Sequence, residues 1–138
     1  MMIPKPKKIK KITASKAKAK AWKYFSLYIR LRGVKGEMNT CVTCGRVKNY
    51  KDLQAGHFLP GRHNSILFDE RNCWPQCYVC NVVLGGNGPR YYQFMLKKFG
   101  QKVIDELEKM DWVTKQMKVF QFQQLSDYYK EKVEQKLK

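Results

Sequence analysis

Residues 41–81 read CVTCGRVKNYKDLQAGHFLPGRHNSILFDERNCWPQCYVCN, and the spacings inside this stretch decide the fold. Two Cys-x-x-Cys pairs, Cys41/Cys44 and Cys77/Cys80, stand about thirty residues apart, the pattern of a four-thiolate zinc site. Each short knuckle points two sulfurs inward, and two knuckles complete a tetrahedron. Disulfides are the competing reading of the same pairs, but nothing in the sequence points to export, the setting in which disulfides persist. Cys73 lies outside both pairs and is expected to be a small buried apolar residue.

Between the knuckles the chain spells His-x14-Asn-x8-Asn through His57, Asn72 and Asn81, the last directly after Cys80. A histidine at fixed distances from two amides, framed by a zinc clamp, resembles the HNH, or His-Me finger, nucleases. The AGHF run at residues 55–58, the FDERN run at 68–72, Gln76-Cys77, Cys80-Asn81 and Gly86-Asn87 are similar to the phage NinG (Rap) recombination endonucleases. A wider likeness is to endonuclease VII, a junction resolvase with a four-cysteine clamp and an asparagine after its last cysteine. The resemblance extends more weakly from about residue 21 to the end and does not cover the lysine-rich start. It implies an α+β fold: a small treble-clef-like ββα-metal core with structural zinc, flanked by N- and C-terminal helices.

The chain has 138 residues, enough for one domain with a modest core and appendages. Its 43% hydrophobic and 13% aromatic content excludes a disordered chain. A formal charge of +17 makes a polyanion the expected partner, nucleic acid first. That charge is concentrated: twelve Lys and Arg and no acid precede Glu37, whereas residues 100–138 carry eight bases against seven acids. No apolar run approaches the roughly 20 residues that span a bilayer, and the opening MMIPKPKKIKKIT lacks a signal peptide's apolar stretch. With its odd cysteine count, the chain is expected in the cytosol, that of the host cell if phage-encoded.

Four segments are expected: a solvated basic tail (1–13), a basic amphipathic helix and linker (14–36), the zinc-clamped core (37–100) and C-terminal helices (101–138). Ser15 is a candidate cap for the first helix, which places Trp22, Phe25, Ser26 and Ile29 on one face and offers Lys16, Lys18, Lys20, Lys23 and Arg30 to phosphates. A solvated charged face and a membrane-surface helix are the competing readings of those lysines. Residues 53–59 are expected as the strand carrying His57, 66–68 as its return strand, and 69–76, which include Pro75, as an irregular bridge. A helical turn starts near Cys77, and Pro89 opens a helix capped by Asn87 or Gly88. Val103, Ile104, Leu107 and Met110 mark the inner face of the next helix. Thr114 is a candidate cap for the last helix, whose Leu125, Tyr128, Tyr129, Val133 and Leu137 form a stripe that is core or, being long, a homodimer interface.

Phosphodiester hydrolysis needs a base for water, a cation for developing charge and donors that hold the phosphate. The resemblance assigns the base to His57, the pinning of its loop to Asn72, and a magnesium or manganese ligand to Asn81. Arg62 and Arg71 are candidate phosphate clamps, and His63 reads as a loop residue. The sequence departs from the family pattern at Gly56, where many HNH nucleases place an Asp or His as a second metal ligand. Either Asn81 alone, with DNA oxygens and water, holds the cation, or another carboxylate approaches, Asp69 and Glu70 being the candidates. The sequence departs again at Val82-Val83-Leu84, where a lysine often stands. The expected function is therefore a metal-dependent endonuclease on branched DNA such as Holliday junctions, D-loops and forks. The alternatives are a non-catalytic zinc-containing DNA-binding module and an RNA-binding accessory protein.

Overall fold

A computed structural model of the chain describes residues 2–6, 11–61 and 63–138. The expected basic tail falls partly, and Arg62 wholly, outside them. The elements run α1 (Ala14–Leu31), β1 (Met38–Thr40), β2 (Val47–Asn49), a 3-10 turn (Tyr50–Asp52), β3 (Leu53–His57), α2 (Asn64–Leu67), β4 (Cys73–Cys77), a π-type helical turn (Val79–Val83), α3 (Gly88–Phe99), α4 (Gln101–Asp111) and α5 (Val119–Lys136). This is a small mixed α+β fold. The α1 cap is Thr13, not Ser15: Thr13 is extended and its hydroxyl accepts from Lys16 N–H at 3.2 Å.

Two antiparallel strand pairs carry the centre. β1 pairs with β2 around the first Cys-x-x-Cys turn. β3 pairs with β4 from Leu53↔Cys77 to His57↔Cys73, so one end of the ribbon abuts the second cysteine knuckle and the other presents the histidine. The return strand is thus 73–77, not 66–68, which forms part of the short helix α2 and its end. Pro75 does not forbid this strand. Its carbonyl points outward to Val42 N–H at 3.0 Å, so the N–H that proline lacks is also on the outer side of the pair, where β3 requires no donor.

The ribbon is covered on both faces. Ala55 and Cys73 pack on Phe25 and Ile29 of α1 and Tyr129 of α5. Trp74, on the opposite face, joins Tyr91 and Met95 of α3 and Ile104 and Leu107 of α4. In α3, Tyr92 and Leu96 point outward. The helices α1 and α5 lie along each other: Phe122 packs on Ala17 and Ala21, and Tyr129 meets the Phe25 ring edge-on at 5.0 Å. The α5 stripe is therefore largely spent inside the chain, with Leu125, Tyr129 and Val133 turned inward and Tyr128 and Leu137 exposed.

Arg32, at the end of α1, fastens this helix to β4. Its guanidinium donates to the Glu70 and Cys73 carbonyls and lies 3.7 Å from the Trp74 ring centre. The last helix starts later than Thr114 suggests. Its N-cap is Lys118, whose backbone N–H is taken by the Gln121 side chain at 2.7 Å. Among the described residues no helix is long and apolar enough to cross a membrane.

Candidate metal centre and polar groove

The two knuckles meet. The sulfurs of Cys41, Cys44, Cys77 and Cys80 all lie within 4.8 Å of one another, with Cys44 and Cys77 3.7 Å apart. A tetrahedral zinc with bonds of about 2.3 Å sets sulfurs about 3.8 Å apart, so this donor set could hold a metal such as zinc. No cysteine is in a disulfide. Burial opposes ionisation of Cys41, but the Thr43 hydroxyl and the N–H groups of Cys77, Cys44 and Thr43 outweigh it and draw its pKa to about 6. Burial, with the neighbouring thiols, pushes Cys44 to about 12.

Further donors converge on the cluster. Cys80 N–H lies 3.5 Å from Cys77 Sγ, and the Asn87 amide donates to Cys80 Sγ at 3.6 Å. Asn87 thus occupies the cap position of α3 in a left-handed conformation while its side chain serves the sulfur and makes no cap bond. Cys73 is elsewhere, fully buried among the aromatics beneath α1, and burial raises its pKa.

His57 ends β3 half-buried. Its Nε2 is 3.1 Å from the Leu67 carbonyl, and its ring stacks on Trp22 of α1 with centroids 5.1 Å apart. A carbonyl can only accept, so Nε2 carries a proton in this contact. Asn72 is fully buried and holds the turn after β3: its Oδ1 accepts from Leu59 N–H at 2.9 Å and its Nδ2 donates to Leu59 O at 3.2 Å. Phe58 N–H adds a bond to the Asn72 carbonyl. The histidine's backbone is thereby clamped from across the ribbon.

Asn81 sits on the π-type turn and lines a groove of about 350 Å³ with Gln54 and Leu53, Ala55, Trp22, Ser26 and Arg30. Its Nδ2 donates to Gln54 Oε1 at 2.7 Å. One wall is α1, where Trp22, Ser26 and Arg30 recur every four residues on one face. Trp22 belongs to both places, stacked on His57 and lining the groove that holds Asn81. Arg30 is half-buried, donates from Nε to Ser26 O at 3.4 Å, and loses some basicity to burial.

The other anticipated cations are scattered. Lys16, Lys20 and Lys23 stand exposed on α1, and Lys18 is half-buried in a separate hollow with His63 and Asp111. His63 Nδ1 lies 3.3 Å from Asp111 Oδ1. Arg71 is not a free phosphate clamp, because its fork is engaged by Asp69 at 2.9 Å and Glu106 at 3.1 Å. Asp69 and Glu70 do not reach the groove lining. Asp69 holds Arg71, and Glu70 accepts from the Tyr129 hydroxyl at 3.1 Å and faces Arg32. Gln54 carries no motif signal in the sequence and Gln76 enters there only beside Cys77, yet both shape this region. Fully buried Gln76 donates to Thr43 Oγ1 and the Gly86 carbonyl, joining the first knuckle to the turn behind Asn81.

The family model described as Bacteriophage Lambda NinG protein matches residues 4–138. The chain is 35% identical over 69 residues to Protein ninG of Escherichia phage 933W, covering 49% of this chain and 34% of that protein. It is 31% identical over 83 residues to Protein ninG of Salmonella phage P22, covering 56% and 40%. Against Protein ninG of Escherichia phage lambda it is 33% identical over 69 residues, covering 49% and 33%. The matched stretch therefore spans between a third and two fifths of these relatives' length. No solved structure matches the chain.

Proposed function

The chain belongs to the NinG family of phage proteins, and from that membership and the groove's geometry we propose that it is a metal-dependent DNA endonuclease acting on branched recombination intermediates. The observation that carries this reading is the His57 Nε2 bond to the Leu67 carbonyl. In the neutral ring that this reading requires, that bond makes Nδ1 the basic nitrogen, in a ring held by Trp22 and by a backbone that Asn72 clamps.

In the proposed reaction His57 Nδ1 takes a proton from water attacking the phosphorus, and Arg30 holds a non-bridging phosphate oxygen in the groove. Asn81 supplies an amide oxygen to magnesium or manganese, a cation that would neutralise the charge developing on the phosphate and leaving oxygen. The four cysteines hold a structural zinc that fixes the turn carrying Asn81 relative to β3. Together with the strand pair, that turn makes up a small ββα-metal core of the His-Me finger kind. Lys16, Lys20, Lys23 and the basic tail supply phosphate contacts outside the groove.

One observation favours the non-catalytic zinc-containing DNA-binding module instead: no carboxylate lines the groove among the described residues. The two readings separate in one assay. Zinc-loaded protein with magnesium or manganese is incubated with labelled linear, Y-shaped, flap and four-way DNA. The nuclease reading expects cutting of at least one branched substrate to 5′-phosphate and 3′-hydroxyl ends. Tight binding to all of them without cutting by either metal would establish the module.

A further inference from the structure

We infer that Gln54 replaces the acid that residue 56 cannot carry, and that the resulting all-amide site binds its divalent cation cooperatively with a DNA phosphate. The inference rests on the nuclease reading and specifies how its metal site is built. A side chain at residue 56 has no room: a Cβ there would stand 1.8 Å from Gln76 Oε1, and Gln76 is fully buried. Asp69 and Glu70 are committed to Arg71 and to Tyr129 and Arg32. The side-chain oxygen in contact with Asn81 is Gln54 Oε1, at 2.7 Å from its Nδ2, and both residues line the same groove. That oxygen has a second lone pair for a cation, and Asn81 keeps its own oxygen out of the bond with Gln54.

Charge then dictates the order of assembly. Magnesium sites normally combine one or two carboxylates with waters and substrate phosphates. Here the protein offers amide dipoles, and among the described residues the one formally charged side chain lining the groove is Arg30, which repels a cation. A phosphate entering the groove reverses the balance. It pairs with Arg30 and brings the negative charge that the amides lack. Metal and DNA must therefore raise each other's affinity by the same factor.

The test is manganese binding, read by electron paramagnetic resonance on the zinc-loaded full chain carrying His57→Ala, alone and saturated with a four-way junction. Ion bound by the junction alone is subtracted. The junction should tighten manganese binding by roughly tenfold or more, within the usual range of coupling between sites. Adding Gln54→Ala should abolish that junction-dependent ion while metal-free junction affinity and zinc content stay unchanged. Adding Gln54→Glu, which supplies the missing charge, should let manganese bind without DNA. Equal manganese affinity with and without the junction, or an undiminished junction-dependent ion in Gln54→Ala, would overturn the inference even where the wild type cuts DNA. Should Gln54→Ala fail to fold, Gln54→Glu decides: manganese binding that still depends on DNA in that variant overturns it. A junction complex that takes up no manganese, with a wild type inert on all branched DNA, would overturn the nuclease reading as well.

Discussion

Gly56 shows how one absent Cβ organises its surroundings. The space above it is filled by Gln76, whose two donated hydrogen bonds join the first knuckle to the turn behind Asn81. Gly56→Ala must push Gln76 aside and break both bonds, which should cost about 2–4 kcal/mol in urea unfolding. The double variant Gly56→Ala/Gln76→Ala should cost clearly less than the sum of the two single changes. Strictly additive costs would show that the two residues do not compete for this space. At this scale the sequence discloses the four cysteines, because ligand spacing is local, and it marks out His57 and both asparagines by their intervals. Gln54 is invisible there. Its meeting with Asn81 depends on where the turn after β4 falls over β3, a tertiary fact with no local signature.

Elements are legible where periodicity is strong and obscured where a single residue misleads. The 3.6-residue pattern of α1 and of α3 to α5 reads directly, although the starts of α1 and α5 shift to Thr13, whose hydroxyl caps, and to Lys118, whose N–H the Gln121 side chain takes. The return strand is hidden by Pro75, whose usual meaning is a break, while 66–68 offers a false apolar run that α2 buries through Ile66 and Leu67. The long α5 stripe reads first as core and second as an interface until α1 is seen against it. The basic start adds a testable electrostatic effect. Removing residues 1–12 deletes five lysines and leaves the Thr13 cap of α1 in place. DNA affinity should fall, and the dependence of log K on log salt should become shallower by roughly 0.9 for each phosphate that the shortened chain no longer neutralises. Filter binding across a salt series checks this, and unchanged slope and affinity would remove the tail from the DNA surface.

At the scale of the whole molecule, the cysteine cluster joins the β1–β2 knuckle to the end of the β3–β4 ribbon and to the turn bearing Asn81. The elements it fastens are short, so metal binding should be inseparable from their folding. Elemental analysis should find about one zinc per chain, the stoichiometry of a four-ligand structural site. Cys77→Ser should lose it along with cooperative unfolding, while Cys73→Ala, outside the cluster, should keep it. A metal-stripped chain that unfolds with unchanged cooperativity would contradict the structural role. With that frame intact, the proposed nuclease chemistry depends on His57 acting on water beside a phosphate in the Asn81 groove. It is tested most directly by single-turnover cleavage of a four-way junction, at saturating protein, for the wild type and a zinc-loaded His57→Ala chain of equal junction affinity. Cleavage at least roughly a hundredfold slower in His57→Ala is expected, the lower range for loss of a general base; cleavage at the wild-type rate would rule out His57 as the base.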